Sequence, residues 1–341
     1  MNARPPKMKD IARKLGVSPA TVSRALSGTG LVAEPTLTRI REVAEALDYR
    51  PNVSARNLRR QSSMTVLMVV RDIGNPFYLE VVKGMEAAAR EAGYAVLMGN
   101  TENDPDREAE YFAMLRDGNA DGMVLMTGKL PSSRFRLDRL PVVVALERVE
   151  GTSFPHVEVD NHGAARDAVR HLISLGHRRI AHIAGPPAEP MALRRRDGFR
   201  AAMAEAGLAI PAGYEQTGDY LLQGGRDRCR ALLSRPDRPT AIFCANDEMA
   251  FGAIHELRRS GLDVPRDVSV VGFDDIYLSQ AIYPPLTTVS QPRAGIGRMA
   301  MTVLLDIMAG GAPPDSPVMM PTTLVVREST APANEFEPLR G

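Results

Sequence analysis

The sequence is poor in the residues that build disulfide-stabilised or metal-dependent proteins. It has no tryptophan, 5% aromatic side chains and two cysteines among 341 residues. Two cysteines cannot form a disulfide framework, so Cys229 and Cys244 are expected to be reduced thiols that pack as small apolar residues. The six histidines are dispersed, and His171, His177 and His182 do not share a helical face. We therefore expect no disulfide, no metal site and no cofactor.

Long apolar runs and catalytic motifs are also missing. No stretch reaches the roughly 18 uncharged apolar residues of a membrane span, and residues 1–7 lack the apolar segment of a signal peptide. These features predict a cytoplasmic protein that does not contact a membrane. The phosphate-binding G-x-x-x-x-G-K-[ST] loop, a G-x-G-x-x-G after a strand and a G-x-S-x-G elbow do not occur. The chain is therefore not expected to be an enzyme.

The charge of the chain is unevenly distributed. The whole sequence has a net charge of +1, but residues 1–60 contain three lysines and nine arginines against five acidic residues, which gives +7. The remainder carries −6. A basic segment attracts a polyanion and gains free energy from counterion release, so the expected partner of this segment is double-stranded DNA.

The motif in the basic segment is a helix-turn-helix. Apolar residues recur at helical spacing from Ile11 to Leu15, and Gly16 is suited to end that helix in the left-handed conformation. Ser18 is the expected N-cap of a second helix that begins at Pro19. A third helix is expected at about Pro35–Leu47, because apolar residues form a continuous face there. Three such helices can close a small core.

The second helix is expected to read DNA, since its N-terminal residues enter the major groove in a helix-turn-helix. Pro19 and Ala20 have no side-chain donors, so we expect them to meet a thymine methyl group or to read DNA shape. Arg24 can pair with guanine, a contact that contributes roughly 1–3 kcal/mol of discrimination. The DNA-binding residues predicted in this segment are Lys9, Ser18, Pro19, Ala20, Thr21, Ser23 and Arg24.

After about residue 64, short apolar runs alternate with amphipathic stretches, which predicts an α/β fold with parallel sheets. The predicted strands are Thr65–Val70, Ala95–Gly99, Gly122–Leu125, Val142–Leu146, Val157–Val159, Ile180–Ala184, Ala241–Cys244 and Ser269–Phe273. The predicted helices are Phe77–Ala92, Arg107–Leu115, Ala164–Leu175, Arg195–Ala206, Gly225–Leu233, Met249–Ser260 and Ile296–Met308. Ligands of such sheets bind beyond the carboxyl ends of the strands. Polar residues there, Asp160 and Asp247 among them, are individually more typical of helix caps than of ligands.

Taken in order, several motifs resemble the LacI/GalR family along essentially the full chain. They are MKDIA at residues 8–12, VSPATVSR at 17–24, LDYRPN at 47–52, GHRRI at 176–180, RPTAIFC at 238–244, VVGFDD at 270–275 and PLTTV at 285–289. The resemblance implies a dimeric transcription factor, usually a repressor. It also implies an all-α helix-turn-helix head and a body like the periplasmic binding proteins, with two doubly wound parallel-sheet subdomains.

The resemblance divides the chain into four parts. Residues 1–50 would be the DNA-binding domain and residues 51–61 a hinge helix or linker. Residues 62–162 with 292–322 would form the N-terminal effector-binding subdomain, and residues 163–291 with 323–341 the C-terminal one. Three crossover strands, near residues 160–163, 290–292 and 321–323, would join the two subdomains.

The linker would fold as a helix on DNA. Asn52 is the expected N-cap, the small Ala55 would let two such helices approach, and Leu58 matches the apolar wedge that opens a base step from the minor groove. Arg56 and Arg59 can hold phosphates. The alternative is a flexible basic linker.

The resemblance also implies an effector site between the subdomains. Its expected residues are Phe77, Tyr78, Glu147, Asp160, Arg195, Tyr220, Asn246 and Asp274. Aromatic rings suit the apolar face of a sugar or base, and the polar groups suit polyol hydroxyls. Residues 72–78 and 185–195 look most like nucleoside- and purine-responsive members, although sugar-responsive members share most of them. The neighbouring Arg194 and Arg196 are expected to be solvated or structural.

Two other classes of protein share parts of this pattern. A soluble periplasmic-type sugar-binding protein would explain the body but has no use for a basic head. An α/β enzyme with an attached DNA-binding domain would need catalytic residues that the sequence lacks. The C-terminal residues 330–341 have no leucine heptads, so a homodimer is expected. The sequence does not say whether the effector is an inducer or a corepressor.

Overall fold

The computed structural model describes residues 6–27, 32–50, 62–127, 140–146, 148–149 and 152–334. The chain divides into two compact units, with the boundary in the sequence between Ser63 and Met64. Within the described ranges, none of the helices combines the length and the apolar character that crossing a membrane requires.

The first unit contains three helices, α1 (Met8–Leu15), α2 (Pro19–Ser27) and α3 (Glu34–Ala46). α1 ends at Gly16, whose φ of 66° is left-handed, as the sequence predicted. The N–H of Thr21 donates to Ser18 Oγ at 3.0 Å, which confirms the N-cap of α2. Apolar residues from all three helices form the core: Ile11, Ala12, Val22, Ala25, Ile40 and Ala44.

The second unit alternates strands and helices. Its strands are β1 (Thr65–Val70), β2 (Ala95–Asn100), β3 (Gly122–Met126), β4 (Val142–Ala145), β5 (His156–Val159), β6 (Ile180–Ala184), β7 (Glu215–Thr217), β8 (Ala241–Cys244), β9 (Ser269–Asp274), β10 (Thr287–Ser290), β11 (Val318–Met320) and β12 (Thr323–Val325). Its helices are α4 (Phe77–Glu91), α5 (Pro105–Arg116), α6 (Asn161–Ser174), α7 (Pro190–Glu205), α8 (Leu222–Leu233), α9 (Asp247–Arg259) and α10 (Arg293–Met308), with a short 3-10 helix at Tyr277–Gln280.

The strands form two six-stranded sheets. The order of the first is β11-β5-β4-β3-β1-β2, and that of the second is β12-β10-β9-β8-β6-β7. Every pairing is parallel except that of β10 with β12. The central strands are apolar and buried because helices cover both faces. The predicted α/β class with two doubly wound sheets is confirmed.

The chain passes from one sheet to the other three times. β5 of the first sheet leads through Asp160 into α6, which packs on α7 over the second sheet. β10 of the second sheet leads through residues 291–292 into α10, which packs on α4 over the first. β11 and β12 belong to different sheets and are separated by residues 321–322.

The structure adds elements that the sequence pattern did not predict. β7, β10, β11 and β12 have three or four residues each, and β7 and β10 are polar, with the sequences EQT and TTVS. Runs this short give no periodic signal. Six of the seven body helices begin two to five residues before the predicted start, because their first turns lie ahead of the apolar stripe on which the prediction rested.

Candidate functional site

A cleft opens at the carboxyl ends of strands from both sheets. This is where parallel α/β sheets bind their ligands. The lining residues follow β1, β4 and β5 of the first sheet and β7 to β10 of the second, or begin α7. They are Arg71, Asn75, Phe77, Tyr78, Leu146, Asn161, Met191, Arg195, Tyr220, Asn246, Asp274 and Gln291.

Two aromatic rings at the start of α4 form the apolar side of the cleft. Phe77 and Tyr78 are both buried, and their rings meet edge to face with centroids 5.6 Å apart. The N–H of Phe77 donates to Asn75 Oδ1 at 2.9 Å, which fixes the entry into the helix. The rings are thereby held in place to cover the apolar face of a ligand.

Arg195 is the buried cation of the opposite wall, with 3% of its surface exposed. Its Nε donates to Asn161 Oδ1 at 2.8 Å, and its Nη1 donates to the carbonyl of Ala245. Its guanidinium carbon lies 3.7 Å from the centre of the Phe273 ring. These contacts fix its position at the cleft.

Asp274 is the buried anion beside it. Its Oδ1 lies 3.5 Å from Arg195 Nη1 and accepts a hydrogen bond of 2.7 Å from Gln291 Nε2. Burial raises the pKa of Asp274 to about 6, and the charge of Arg195 opposes this rise. The backbone of Asp274 has a φ of 116°, a strained conformation that often marks a functional site.

Asn246 and Tyr220 complete the second wall. Asn246 is the N-cap of α9, since its Oδ1 accepts from the N–H of Met249 at 3.0 Å. Its Nδ2 donates to the carbonyl of Tyr220 at 2.9 Å. Tyr220 has a φ of 68°, and this conformation brings its ring to the cleft.

An ion pair links the two walls across the cleft. Arg71, which follows β1, pairs with Glu189, the residue that precedes α7. Both side chains are about 15% exposed, and the Arg71 guanidinium also lies 5.4 Å from the centre of the Tyr220 ring. The pair therefore holds the two walls close together.

A buried carboxylate behind the cleft ties the second wall to its neighbours. Asp247 accepts hydrogen bonds from Ser279 Oγ at 2.7 Å, from the Ile276 N–H at 2.8 Å and from Thr288 Oγ1. Burial and the charge of Asp274 raise its pKa to about 7. Asp247 thus fastens α9 to the loop after β9 and to β10.

The first unit presents the polar face of its second helix to solvent. Ser18, Pro19, Ala20 and Arg24 are exposed, as is Lys9 of α1. Thr21 and Ser23 are half-buried. The hydroxyls of Ser18 and Thr21 lie 2.9 Å apart and are hydrogen-bonded to each other.

Comparison with known proteins agrees with this organisation. Residues 7–52 match the family described as "Bacterial regulatory proteins, lacI family", and residues 169–330 match the "Periplasmic binding protein-like domain". The HTH-type transcriptional repressor CytR of Escherichia coli K12 is 39% identical over 326 residues, 95% of this chain and 96% of CytR. The chain belongs to the LacI family.

Two further relatives support this membership. The ribose operon repressor of Escherichia coli K12 is 39% identical over 302 residues, 87% of this chain and 92% of that repressor. A crystal structure of the lac repressor dimer bound to operator and the anti-inducer ONPF is 26% identical, with a TM-score of 0.87, over 96% of this chain and all of that one. This LacI-family protein is therefore a ligand-responsive DNA-binding regulator of the repressor type, and it is not an enzyme.

Six of the eight predicted effector residues lie together in the cleft: Phe77, Tyr78, Arg195, Tyr220, Asn246 and Asp274. Asp160 does not line it. Asp160 is exposed and accepts from the Gly163 N–H at 2.9 Å, so it is the N-cap of α6, as its position after a strand also suggested. Asp247 had been expected to cap α9, but Asn246 is the cap. Arg194 is exposed and Arg196 contacts Asp197, in line with their expected roles.

Several predictions fall on residues outside the described ones. Glu147 is among them, as are the hinge residues Asn52, Ala55, Arg56, Leu58 and Arg59. Their roles stay predictions.

Sequence reasoning missed other lining residues. Arg71 and Gln291 directly follow β1 and β10, Asn161 lies two residues after the end of β5, and Leu146 follows β4. The rule that ligands meet the carboxyl ends of strands would have found Arg71 and Asn161. Gln291 escaped it because β10 itself was not predicted.

Proposed function

We propose that this protein is a repressor that binds a palindromic operator as a homodimer and is switched by a nucleoside or sugar in the inter-sheet cleft. The observation that carries the proposal is that one chain combines an exposed helix-turn-helix face with a cleft whose buried donors and acceptors suit a polyol. The alternative of a sugar-binding protein without a DNA role leaves the match of residues 7–52 unexplained.

The DNA-binding part of the proposal is tested by a gel-shift assay of the full chain on the region upstream of its own gene. Replacing Arg24 by alanine removes a side chain that can pair with guanine. The loss should lower specific affinity by about 5- to 150-fold, since a bidentate base contact contributes roughly 1–3 kcal/mol. Equal losses on operator and on random DNA would show that Arg24 does not read bases.

Arg41→Ala is the matched control. Arg41 is exposed on α3, outside the predicted base-reading helix, and its replacement removes the same charge. The control should weaken both DNAs to a similar and smaller extent, because it removes only a general electrostatic attraction.

The proposed hinge contact has its own test. Leu58→Ala should weaken operator binding by more than it weakens non-specific binding, because an inserted apolar wedge acts where the DNA can be opened. A titration at matched salt concentrations measures both affinities. Parallel losses would contradict the wedge.

A second copy of the chain is the proposed occupant of two exposed apolar regions. The strand β2 is an edge strand, and its Leu97 and Met98 are 47% and 43% exposed. In the second half, exposed apolar residues lie before and at the start of α8 and around the 3-10 helix: Leu221, Leu222, Tyr277, Leu278 and Tyr283. Sedimentation should give a dimer for the wild type and a monomer after Leu97→Asp, since a buried charge disfavours association.

The effector would act through domain closure. We propose that residues 62–162 with 292–322 and residues 163–291 with 323–341 rotate about the three crossing segments. Effector and operator would then share a coupling energy, typically about 1–3 kcal/mol. Gel shifts with and without nucleosides or sugars give its sign. An operator affinity that no such compound changes would contradict this part of the proposal.

A further inference from the structure

The charges of the cleft wall are already balanced within the protein. Among the lining residues that the structure describes, Arg71 is paired with Glu189, and Arg195 lies 3.5 Å from Asp274. Each of these two cations, one on either wall of the cleft, therefore faces a carboxylate. A ligand anion would have to compete with these carboxylates for the two guanidinium groups.

Further carboxylates lie beside the cleft. Glu248 is half-buried in the first turn of α9. Burial raises its pKa to about 7, and the negative charges of Asp274, Asp72 and Asp219 contribute to this rise. The nearby Arg293 donates to the carbonyl of Asp275. The electrostatic surroundings of the cleft are thus acidic.

Gln291 presents a hydrogen-bond acceptor to the cleft. It is 4% exposed, and its Nε2 donates to Asp274 Oδ1 at 2.7 Å. The carboxylate of Asp274 is an acceptor, so the amide must direct its N–H groups there and its oxygen elsewhere. This buried Oε1 has no partner among the described residues. A buried carbonyl oxygen is stabilised when a ligand O–H or N–H donates to it.

We infer that the cleft takes an uncharged ligand that donates hydroxyl or amino hydrogens to Asp274 and Gln291, and that it rejects the phosphorylated form of the same compound. The inference rests on the proposed effector role of the cleft. A phosphate monoester carries about −1.5 to −2 charges at pH 7, and here it would meet carboxylates, while the cations among the described lining residues are already paired. Gln291, at the second crossing between the sheets, is the contact residue that sequence reasoning missed.

Matched pairs of compounds test the inference. Calorimetric titration of the full chain compares ribose with ribose 5-phosphate, cytidine with its 5′-monophosphate and adenosine with its 5′-monophosphate, at equal ionic strength. At least one uncharged compound should bind, and its phosphate should bind at least about tenfold more weakly. A phosphate that binds as well as its uncharged partner, or the failure of every uncharged compound to bind, overturns the inference.

Two variants separate the contributions. Gln291→Met keeps the length of the side chain but removes both the Oε1 acceptor and the Nε2 donor to Asp274, so affinity for the uncharged ligand should fall at least about tenfold and the melting temperature should fall as well. Glu248→Gln should reduce the discrimination against the phosphate, and Glu110→Gln, on the exposed face of α5, should leave it unchanged. Unchanged ligand affinity in Gln291→Met would refute the contact.

The DNA-binding part of the proposed function can be judged separately. If the wild type shifts the operator either without ligand or in the presence of one of these compounds, the DNA-binding function stands whatever the titrations show. Failure of the wild type to shift the operator under both conditions would count against the proposed function and not against the choice of ligand class.

Discussion

The two halves of the body use the same architecture but differ in what they bury. Around the first sheet the buried polar side chains described are Thr101, Glu108, Thr127 and Glu158. Around the second they include His177, His182, Thr240, Asn246, Asp247, Ser269, Asp274, Ser279, Thr287, Thr288 and Ser329. Of this second group, Asn246 and Asp274 line the cleft, whereas the side chains near the amino ends of β8 to β10 are hydrogen-bonded among themselves and to residues 330–331: His177, Thr240, Ser269, Thr287 and Ser329. The first half therefore offers the cleft mainly aromatic and aliphatic surface, and the second offers a few fixed polar groups while most of its buried polar side chains stabilise the fold.

Both halves pack a pair of helices through glycines. A Cβ on Gly84 of α4 would lie 1.9 Å from the carbonyl oxygen of Ala294, and one on Gly297 of α10 would lie 2.0 Å from that of Val81. In the second half, a Cβ on Gly252 of α9 would lie 2.1 Å from the carbonyl oxygen of Leu222. The helices therefore approach too closely for any side chain.

The largest loss of stability is expected where one of these close helix contacts at a glycine is disrupted. Gly297→Ala should destabilise the protein by about 3 kcal/mol or more, because the methyl group meets backbone that cannot move without separating α4 from α10. Denaturant unfolding measures the loss. Gly252→Ala should act similarly in the second half.

Gly295→Ala is the matched control on the same helix. A Cβ there would meet only the end of Met320 at 3.3 Å and Pro292 at 3.6 Å. Alanine is the better helix former by about 1 kcal/mol, so this variant should be neutral or more stable. If Gly295→Ala and Gly297→Ala proved equally harmful, the close approach of the helices would not be the cause.

The next largest loss of stability is expected at acid pH and comes from a buried histidine of the second half. His182 is fully buried between the rings of Phe199 and Phe243, and burial lowers its pKa to about 4. An unfolded histidine takes up a proton near pH 6.5, so the folded state should lose up to about 3 kcal/mol as the pH falls from 6.5 to 4. The nearby charges of Glu215, Arg195 and Arg196 alter this value less than burial does.

In His182→Leu, the free energy of unfolding should decrease less as the pH falls from 6.5 to 4. Urea unfolding at a series of pH values measures this decrease. The exposed His255 of α9 provides the control, and His255→Leu should leave the loss as it is. An acid profile of His182→Leu that overlays the wild type would contradict the assignment.

The pH dependence of stability that Asp247 contributes should be smaller than that of His182 and opposite in sign. Its raised pKa means that the folded state retains a proton that the unfolded state has released, so its contribution to stability falls as the pH rises from about 4 to about 7. Asp247→Asn removes this part of the pH dependence and costs about 1–2 kcal/mol through altered hydrogen bonds. Burial also raises the pKa of the nearby Asp274, so its contribution to stability likewise falls as the pH rises. The plot of unfolding free energy against pH should therefore become less steep in Asp247→Asn but keep some slope.

The smallest loss of stability is expected for the ion pair that links the two halves across the cleft. Glu189→Gln replaces the carboxylate that faces Arg71 across the cleft and should lower stability by about 1 kcal/mol. Amide hydrogen exchange should accelerate at the start of α7 and after β1 without changing at β3. Uniform acceleration over both sheets would show that the pair stabilises the whole fold and not the closed cleft.

Prediction from sequence succeeded where a signal is local. Gly16, Ser18 and Pro19 define the turn of the head through backbone and capping chemistry alone, and the eight predicted strands of the body appear within one residue of their predicted ends. It did not separate the two possible roles of Asp160, which caps α6, because a carboxylate after a strand serves equally well as a cap or as a ligand. It missed Gln291, because a polar four-residue strand carries no periodic signal.

The basic head and the order of helices and strands can be read from the chain, since they depend on local periodicity, capping and charge, and the family can be read from its motifs. Which polar residues meet depends on the folded arrangement. Asn161, Arg195, Asp274 and Gln291 are far apart along the chain, and only the two sheets and their three crossings bring them together. Whether a buried charge is balanced depends on such long-range contacts, because electrostatic interactions act through space and not along the sequence.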